Sequence, residues 1–285
     1  MTSHAKHGST MTAARNRLLY VTDLGYEAKG RRYCDEDIRL SGRLREDFDI
    51  ALCHPLDAAR LMDLFDAVVV RNSGPVLHYQ REYDAFLALV RESGVRLYNP
   101  PTGRADMAGK QYLVELSAAG FPVIPTVDRG EDVGRLPHAA QYVVKPKLGA
   151  DSIGMEFVGR DGLEGLVYGE VLVQPRIPFR YEVSFYFVDR DFQYALYAPR
   201  PERRWELERY EPVPGDLEFA QRFIDWNTLD HGIQRVDACR APDGELLLVE
   251  LEDLNPYLSL DLVEDGVREA FVARMKASLH AFLGG

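Results

Sequence analysis

Gln234-Arg-Val-Asp-Ala-Cys239 and Glu245-Leu-Leu-Leu-Val-Glu-Leu-Glu252, joined through Asp243-Gly244, decide how this chain folds. Asp-Gly is a preferred two-residue type I′ hairpin loop, so the two runs read as antiparallel strands. With Pro242 facing Glu245, Asp237 lies opposite Glu250 and Arg235 opposite Glu252. Side chains repeat every two residues, so these four share one face of the sheet. A four-residue loop starting at Ala241 keeps them together; a three-residue loop splits them. Directly opposed carboxylates repel. Three acids and one Arg on otherwise apolar strands therefore point to a bound cation, and oxygen-only ligands suit Mg²⁺. The plain alternative is a solvated face with an Arg–Glu pair, against which the apolar run Leu246–Val249 speaks for a buried strand.

Outward from the hairpin, the N-terminal part alternates strands and helices. Strands are expected at Leu18–Val21, Phe48–Cys53, Ala67–Val70 and Val95–Tyr98, and helices at Tyr33–Glu46, Leu56–Phe65 and Tyr79–Glu92. That alternation predicts a parallel α/β domain over residues 17–101, closed by the breaker Asn99-Pro100-Pro101. A helix at Asp106–Ala119 ends at Gly120. The pattern then turns strand-like at Gln141–Lys145, Ile153–Val158, Val171–Gln174, Tyr181–Val188 and Phe192–Ala198. A charged, Pro-rich loop runs to Pro214, followed by helices at Asp216–His231 and Val263–Phe282 around the hairpin.

The 285 residues are 46% hydrophobic and 28% charged, which is ordinary globular composition and excludes collagen-like and disordered classes. No apolar run approaches the roughly 18 residues of a membrane span. With 45 acidic and 34 basic residues, the net charge of −11 disfavours a nucleic-acid partner. Three scattered cysteines (Cys34, Cys53, Cys239) fit a reducing cytoplasm and argue against disulfides or structural zinc. Residues 1–16 lack an apolar signal core and read as a disordered extension, with His4 and His7 on a solvated tail.

Further segments carry candidate chemistry. Val143-Val-Lys-Pro146 runs into a loop with Lys147, Gly149, Ser152 and Gly154, where small residues let backbone N–H groups approach phosphate and Lys145 can neutralise it. An ordinary hairpin with surface lysines fits the same residues. Val171–Ile177 followed by Glu182 could present backbone to a purine and a carboxylate to ribose, or form a plain core strand. Arg200, Arg203 and Arg204 cluster in a charged loop; Arg71 and Lys110 are single charges.

In sequence order these pieces resemble the ATP-grasp superfamily of carboxylate–amine ligases. The resemblance rests on Lys110 with Gly120-Phe-Pro-Val-Ile-Pro125, Val143-Val-Lys-Pro146 with its loop, Val171–Ile177 with Glu182, Arg235-Val-Asp237, and Leu248-Val-Glu-Leu-Glu252 with Asn255-Pro256. It covers nearly all of the chain after residue 17. It is similar to the branch holding bacterial glutathione synthetase, ribosomal-protein glutamate ligase and short ligases of amino-acid-derived antibiotic pathways. It implies an α/β architecture: a Rossmann-like N-terminal domain (17–101), a central, mostly antiparallel lid (102–177) and a C-terminal antiparallel sheet with helices (178–285).

The resemblance also implies roles. Lys110 and Lys145 contact ATP phosphates under the Lys147–Gly154 loop, with Gly149 and Ser152 in it. Gln174 and Ile177 meet adenine, and Glu182 the ribose. Asp237, Glu250 and Glu252 hold Mg²⁺, two ions with Mn²⁺ able to substitute, while Arg235 steadies an acyl phosphate. Arg71, Arg200, Arg203 and Asn255 are substrate candidates. Two positions depart from the family pattern: Glu252 stands where Asn is usual, and Tyr257 stands where a glycine follows Asn-Pro. The expected reaction activates a carboxylate of a small amino-acid-type substrate as an acyl phosphate and forms an amide with an amine. A non-ligase ATP-binding protein and a ligase for peptide or protein side chains are the alternatives. No membrane partner is expected, the location is cytoplasmic, and a homodimer is one open arrangement.

Overall fold

The computed structural model describes residues 14–28, 30–71, 76–148 and 153–284. The N-terminal unit starts with β1 (Arg17–Val21), a small hairpin of β2 (Glu27–Ala28) and β3 (Arg31–Arg32), and α1 (Cys34–Leu44). It continues through β4 (Asp49–Cys53), α2 (Ala58–Leu61), β5 (Ala67–Val70), α3 (Gln80–Ser93) and β6 (Leu97–Tyr98). The four longer-range strands form a parallel sheet in the order β4-β1-β5-β6. All four residues of β5 are buried, as an apolar run covered on both faces requires.

Next come α4 (Tyr112–Ala118) and an antiparallel three-stranded sheet of β7 (Tyr142–Pro146), β8 (Glu156–Val158) and β9 (Val171–Pro175), ordered β8-β7-β9. The last unit holds β10 (Tyr181–Val188), β11 (Asp191–Ala198), β12 (Glu208–Tyr210), α5 (Pro214–Asn227), β13 (Ile233–Arg240), β14 (Leu246–Glu252) and α6 (Asp265–Gly284). Its five strands are antiparallel in the order β12-β11-β10-β13-β14. The expected α/β class is met, with one parallel sheet, two larger antiparallel sheets and the small β2-β3 hairpin. A hydrophobic cluster unites Leu18, Tyr20, Val69 and Tyr98 with Tyr186, Tyr194, Phe271 and Met275, so the first and last units share core.

Several elements differ from expectation. The helix expected over Asp106–Ala119 is a 3-10 turn (Asp106–Ala108), a break at Gly109 (φ +87°), and then α4. The break has a cause: the Ala105 and Met107 N–H groups donate to the Asp253 carboxylate, and the Lys110 N–H donates to the Lys147 carbonyl. Strand β8 begins only at Glu156. Helix α5 stops at Asn227, before Thr228 in left-handed backbone (φ +57°), short of His231. The charged loop contains β12, which pairs with β11 and had no apolar pattern to announce it.

The hairpin itself corrects the expected turn. Ala241, not Pro242, pairs with Glu245, and Gly244 N–H donates to the Ala241 carbonyl, closing a three-residue loop with Gly244 at φ +100°. That loop sets Arg240 against Leu246, Cys239 against Leu247 and Ala238 against Leu248. Continued unchanged, it would put Asp237 opposite Val249. A bulge at Val249 then shifts the ladder by one, so Asp237 faces Glu250 and Arg235 faces Glu252. The outer edge of β14 is covered: Leu248 N–H donates to the Pro122 carbonyl, Ile124 N–H to the Leu248 carbonyl, and Leu251 N–H to the Tyr112 hydroxyl.

Candidate active site

Strand pairing assembles one polar face. Glu182, Ser184 and Tyr186 of β10 stand opposite Cys239, Asp237 and Arg235 of β13, and the latter two stand opposite Glu250 and Glu252 of β14. Directly paired residues project to the same side, so Glu182, Ser184, Arg235, Asp237, Glu250 and Glu252 share this face. Two lysines meet it from the middle of the chain: Lys110 just before α4 and Lys145 on β7.

Opposite charges knit the face together. Lys110 Nζ lies 2.9 Å from Glu250 Oε1 and 3.0 Å from Asp106 Oδ2, and Lys145 Nζ lies 3.6 Å from the same Glu250 oxygen. Arg235 donates Nε to Asp237 Oδ1 (2.9 Å), Nη2 to Asp237 Oδ2 (2.8 Å) and Glu252, and Nη1 to the Tyr257 carbonyl (2.8 Å). The guanidinium thus also contacts the Glu252 carboxyl. Ser184 Oγ donates to Asp237 Oδ1 at 2.6 Å.

The electrostatics follow from burial and pairing. Burial pushes the Glu250 carboxyl up, but Lys110 and Lys145 outweigh it and hold the group at about 2. Burial pushes Glu252 up to about 8 against the opposing pull of Arg235. Lys145 is shifted down by burial, with Glu250 resisting, whereas Asp106 and Glu250 overcome burial and push Lys110 up. Glu182 is raised by burial and opposed by Arg204, its partner from the charged loop.

The structure therefore brings together Lys110, Lys145, Glu182, Arg235, Asp237, Glu250 and Glu252. Other expected residues are placed differently. Lys147 Nζ pairs with Asp128 Oδ2 at 2.7 Å, away from Glu250. Gln174 is buried and donates Nε2 to Thr126 Oγ1 at 2.8 Å, and Ile177 is half-buried. Gly149 and Ser152 lie outside the described residues. Gly154 takes φ +74°, and a Cβ there would stand 3.0 Å from Pro146 Cγ, so glycine suits the exit of that loop.

Of the substrate candidates, Arg71 is buried. Its side chain is 2% exposed, with Nε 3.2 Å from Asp37 Oδ1 and Nη2 3.5 Å from Glu36 Oε1, in a network that includes Tyr20 and Thr22. It is a buried counter-charge, because α1 carries two acids onto the end of β5. Arg200 and Arg203 are exposed and both grip Glu206 of their own turn, so they contribute to holding that turn. Asn255 is half-buried two residues before Tyr257, whose ring stacks on Tyr33 at 4.6 Å. Sequence reasoning missed Ser184, which period-two alternation from Glu182 would have found, and Asp106, four residues before Lys110 on a helical pattern. Nothing in the sequence pointed to Asp128 or Arg204 as partners of the site lysine and glutamate.

Among the described residues no three His, Cys, Asp or Glu side chains stand close enough together to hold a metal as they are now paired. The donor set nonetheless fits a hard divalent cation: three carboxylates on one face with a hydroxyl on one of them.

This arrangement, a parallel α/β unit, a small three-stranded antiparallel sheet and a larger antiparallel sheet whose acids meet Lys110 and Lys145, is that of the ATP-grasp fold. The relatives bear this out. The chain is 27% identical to the cycloserine biosynthesis protein DcsG of Streptomyces lavendulae, in a match over 252 residues that spans 74% of this chain and 84% of that protein. It superposes on the crystal structure of D-cycloserine synthetase DcsG with a TM-score of 0.72 at 24% identity, over 94% of this chain and 100% of the other. The D-alanine–D-alanine ligase of Bacillus anthracis in complex with ATP matches with a TM-score of 0.64 at 14% identity, over 94% and 98%. The ATP-grasp ligase PsnB, bound to a variant of its minimal precursor with Mg and ADP, matches with 0.62 at 17%, over 94% and 100%. No family model matches. The chain has the ATP-grasp fold, and its relatives in sequence and structure are ATP-dependent ligases, which fits an enzyme forming a C–N bond.

Proposed function

We propose that the chain phosphorylates the carboxylate of a small amino-acid-type substrate with ATP and joins the acyl phosphate to an amine, releasing ADP and phosphate. One observation carries this reading: Arg235, Asp237, Glu250 and Glu252 share a sheet face that Lys110 and Lys145 meet from the lid side. Lys110 and Lys145 bind the ATP phosphates, and the Lys147–Gly154 loop folds over them. Gln174 and Ile177 contact adenine and Glu182 the ribose. Asp237, Glu250 and Glu252 hold Mg²⁺, two ions with Mn²⁺ able to substitute, which when bound neutralises phosphate charge. The planar Arg235 fork steadies the acyl phosphate and the oxyanion that forms on amine attack. The lid corresponds to residues 102–177, between units at 17–101 and 178–285, and its closure excludes water from the acyl phosphate.

The kinship with a cycloserine biosynthesis protein supports an amino-acid-derived substrate and a place in antibiotic biosynthesis. The three cysteines are free and buried, in keeping with a cytoplasmic protein. The test is ADP release with panels of amino acids and of short peptides, run with hydroxylamine to capture an acyl phosphate as hydroxamate. Hydroxamate that depends on an amino-acid carboxylate supports the reading. Turnover with peptides alone reassigns the substrate, and ATP binding without turnover on either panel leaves a non-ligase ATP-binding protein.

A further inference from the structure

We propose that Asp253, the residue after the last acid of the hairpin, is a positioning residue for Lys110; this rests on the reading that Lys110 meets ATP phosphates. Asp253 is fully buried. Its Oδ1 accepts the Met107 N–H (2.8 Å), and its Oδ2 accepts the Ala105 N–H (3.2 Å) and Asn227 Nδ2 (3.1 Å). A buried carboxylate is costly unless its oxygens are hydrogen-bonded, and here two of the three donors are backbone amides of one short segment. Those two amides flank Asp106.

Asp106 in turn holds Lys110 Nζ at 3.0 Å and the Tyr112 hydroxyl at 2.9 Å. The Tyr112 hydroxyl accepts the Leu251 N–H at 2.7 Å, and Lys110 reaches Glu250 at 2.9 Å. Three nearby residues of one strand end therefore grip the lysine segment, Glu250 and Asp253 through their carboxylates and Leu251 through its backbone N–H. The fit around Asp253 is close: a Cβ on Gly103 would stand 2.2 Å from its Oδ2. Asn227, which donates to Asp253, also accepts the Arg104 N–H at 2.7 Å, so the segment 103–107 is wrapped around this one carboxylate. Without it, the Ala105 and Met107 amides that flank Asp106 lose their acceptor, and the turn that aims Lys110 at the acid face loses its central tie.

The isosteric Asp253→Asn keeps the volume but turns an NH₂ toward one of three N–H donors. The full-length protein is titrated with ADP in Mg²⁺, well below the melting temperature. The expected result is about a tenfold weaker Kd, the size of one lost hydrogen bond. In a Lys110→Ala background the same substitution should change Kd by less than about twofold, because Asp253 acts through that lysine. Tyr98→Phe, which loses a buried hydrogen bond to Ser278 and touches none of the groups around Lys110, should lower stability and leave Kd unchanged. Gly103→Ala, which displaces the carboxylate without removing it, should give the same two readings and serves if Asp253→Asn does not fold. A Kd unaffected by Asp253→Asn, or losses that add with those of Lys110→Ala, overturns the proposal. Wild-type ADP affinity in Lys110→Ala itself overturns the underlying reading of the site instead.

Discussion

The Lys110 ammonium sits 2.9 Å from Glu250 Oε1, and Lys145 approaches the same oxygen at 3.6 Å. Asp237 and Glu250 face each other across the hairpin, which alone would be repulsive. Relief comes from cations on both sides, the lysines on Glu250 and Arg235 on Asp237. In the ligand-free protein the acid face is therefore a set of ion pairs whose members must exchange partners when phosphate and a divalent cation arrive.

Glu250→Gln should accordingly destabilise the ligand-free protein, where relief of repulsion alone would stabilise it. It removes the carboxylate that Lys145 approaches and one of the two that hold Lys110, which keeps Asp106, a loss of about 1–3 kcal/mol once partial exposure is allowed for. The sign follows from the pairing. Glu250 is held at about 2, below its unfolded value, so its contribution is present above about pH 4.5 and lost as pH falls toward 2. The melting temperature of the variant should lie below wild type at pH 7, and the gap should close in strong acid. Mg·ATP-dependent turnover should also fall by about 10²-fold or more. A variant as stable as wild type at pH 7 would contradict the ion-pair account.

Arg235→Lys tests whether the guanidinium works in the reaction or only ties the hairpin. All its contacts use the planar fork, toward Asp237, Glu252 and the Tyr257 carbonyl, and a lysine can reproduce one of them. If Arg235 steadies the acyl phosphate and the oxyanion, kcat should drop about 10²-fold or more while KM for ATP moves little. Steady-state kinetics separates the two quantities. A variant with normal kcat whose defect is confined to melting temperature makes Arg235 a structural tie.

The strand–helix alternation and the shared acid face were legible because apolar periodicity and period-two pairing are local properties. The face was reached through a turn the protein does not use. A three-residue loop and the Val249 bulge each shift the register by one, and together they restore the pairing of Asp237 with Glu250. The break at Gly109 was illegible, since the group that makes it, Asp253, lies 146 residues from Met107. The partners of Arg71 were illegible for the same reason: nothing in the run Ala67–Arg71 shows that α1 brings Glu36 and Asp37 over it. Long-range polar contacts of this kind leave no periodic trace.

A charged latch joins the end of α1 to α6. Lys276 Nζ lies 2.7 Å from Glu46 Oε2 and 2.9 Å from Asp47 Oδ1, His280 meets Asp47 at 2.9 Å, and Arg43 pairs with Glu269. Hydrogen bonds from Lys276 and Arg43 lower the Glu46 carboxyl, those from His280 and Lys276 lower Asp47, and Arg43 lowers Glu269. Lowered folded values mean the latch stabilises above the unfolded carboxylate range and is lost as pH falls below about 4. Lys276→Ala should therefore melt earlier than wild type at pH 7 and low salt. The difference should shrink at pH 3 and in 1 M salt, where the Debye length is about 3 Å. An equal difference under all three conditions would show that Lys276 contributes through packing.

Lys145 and Lys147, two residues apart on the same strand and its exit, should behave differently. Lys145 is buried with its ammonium toward Glu250 on the acid face, whereas Lys147 is tied to Asp128 at 2.7 Å. A charge-assisted contact to phosphate contributes roughly 1.5–3 kcal/mol. Lys145→Ala should thus weaken ATP binding about 10- to 150-fold in an equilibrium titration. Lys147→Ala should weaken it by no more than about threefold, since that ammonium already has a carboxylate partner in Asp128. The comparison is informative in both directions. Equal losses would mean that the loop beyond Pro146 carries Lys147 off Asp128 and onto the nucleotide when ATP binds; Asp128→Asn, which releases the lysine beforehand, should then tighten ATP binding. If Lys145→Ala binds ATP as well as wild type, the lysine serves only to neutralise Glu250, and the phosphate contacts on this face rest with Lys110.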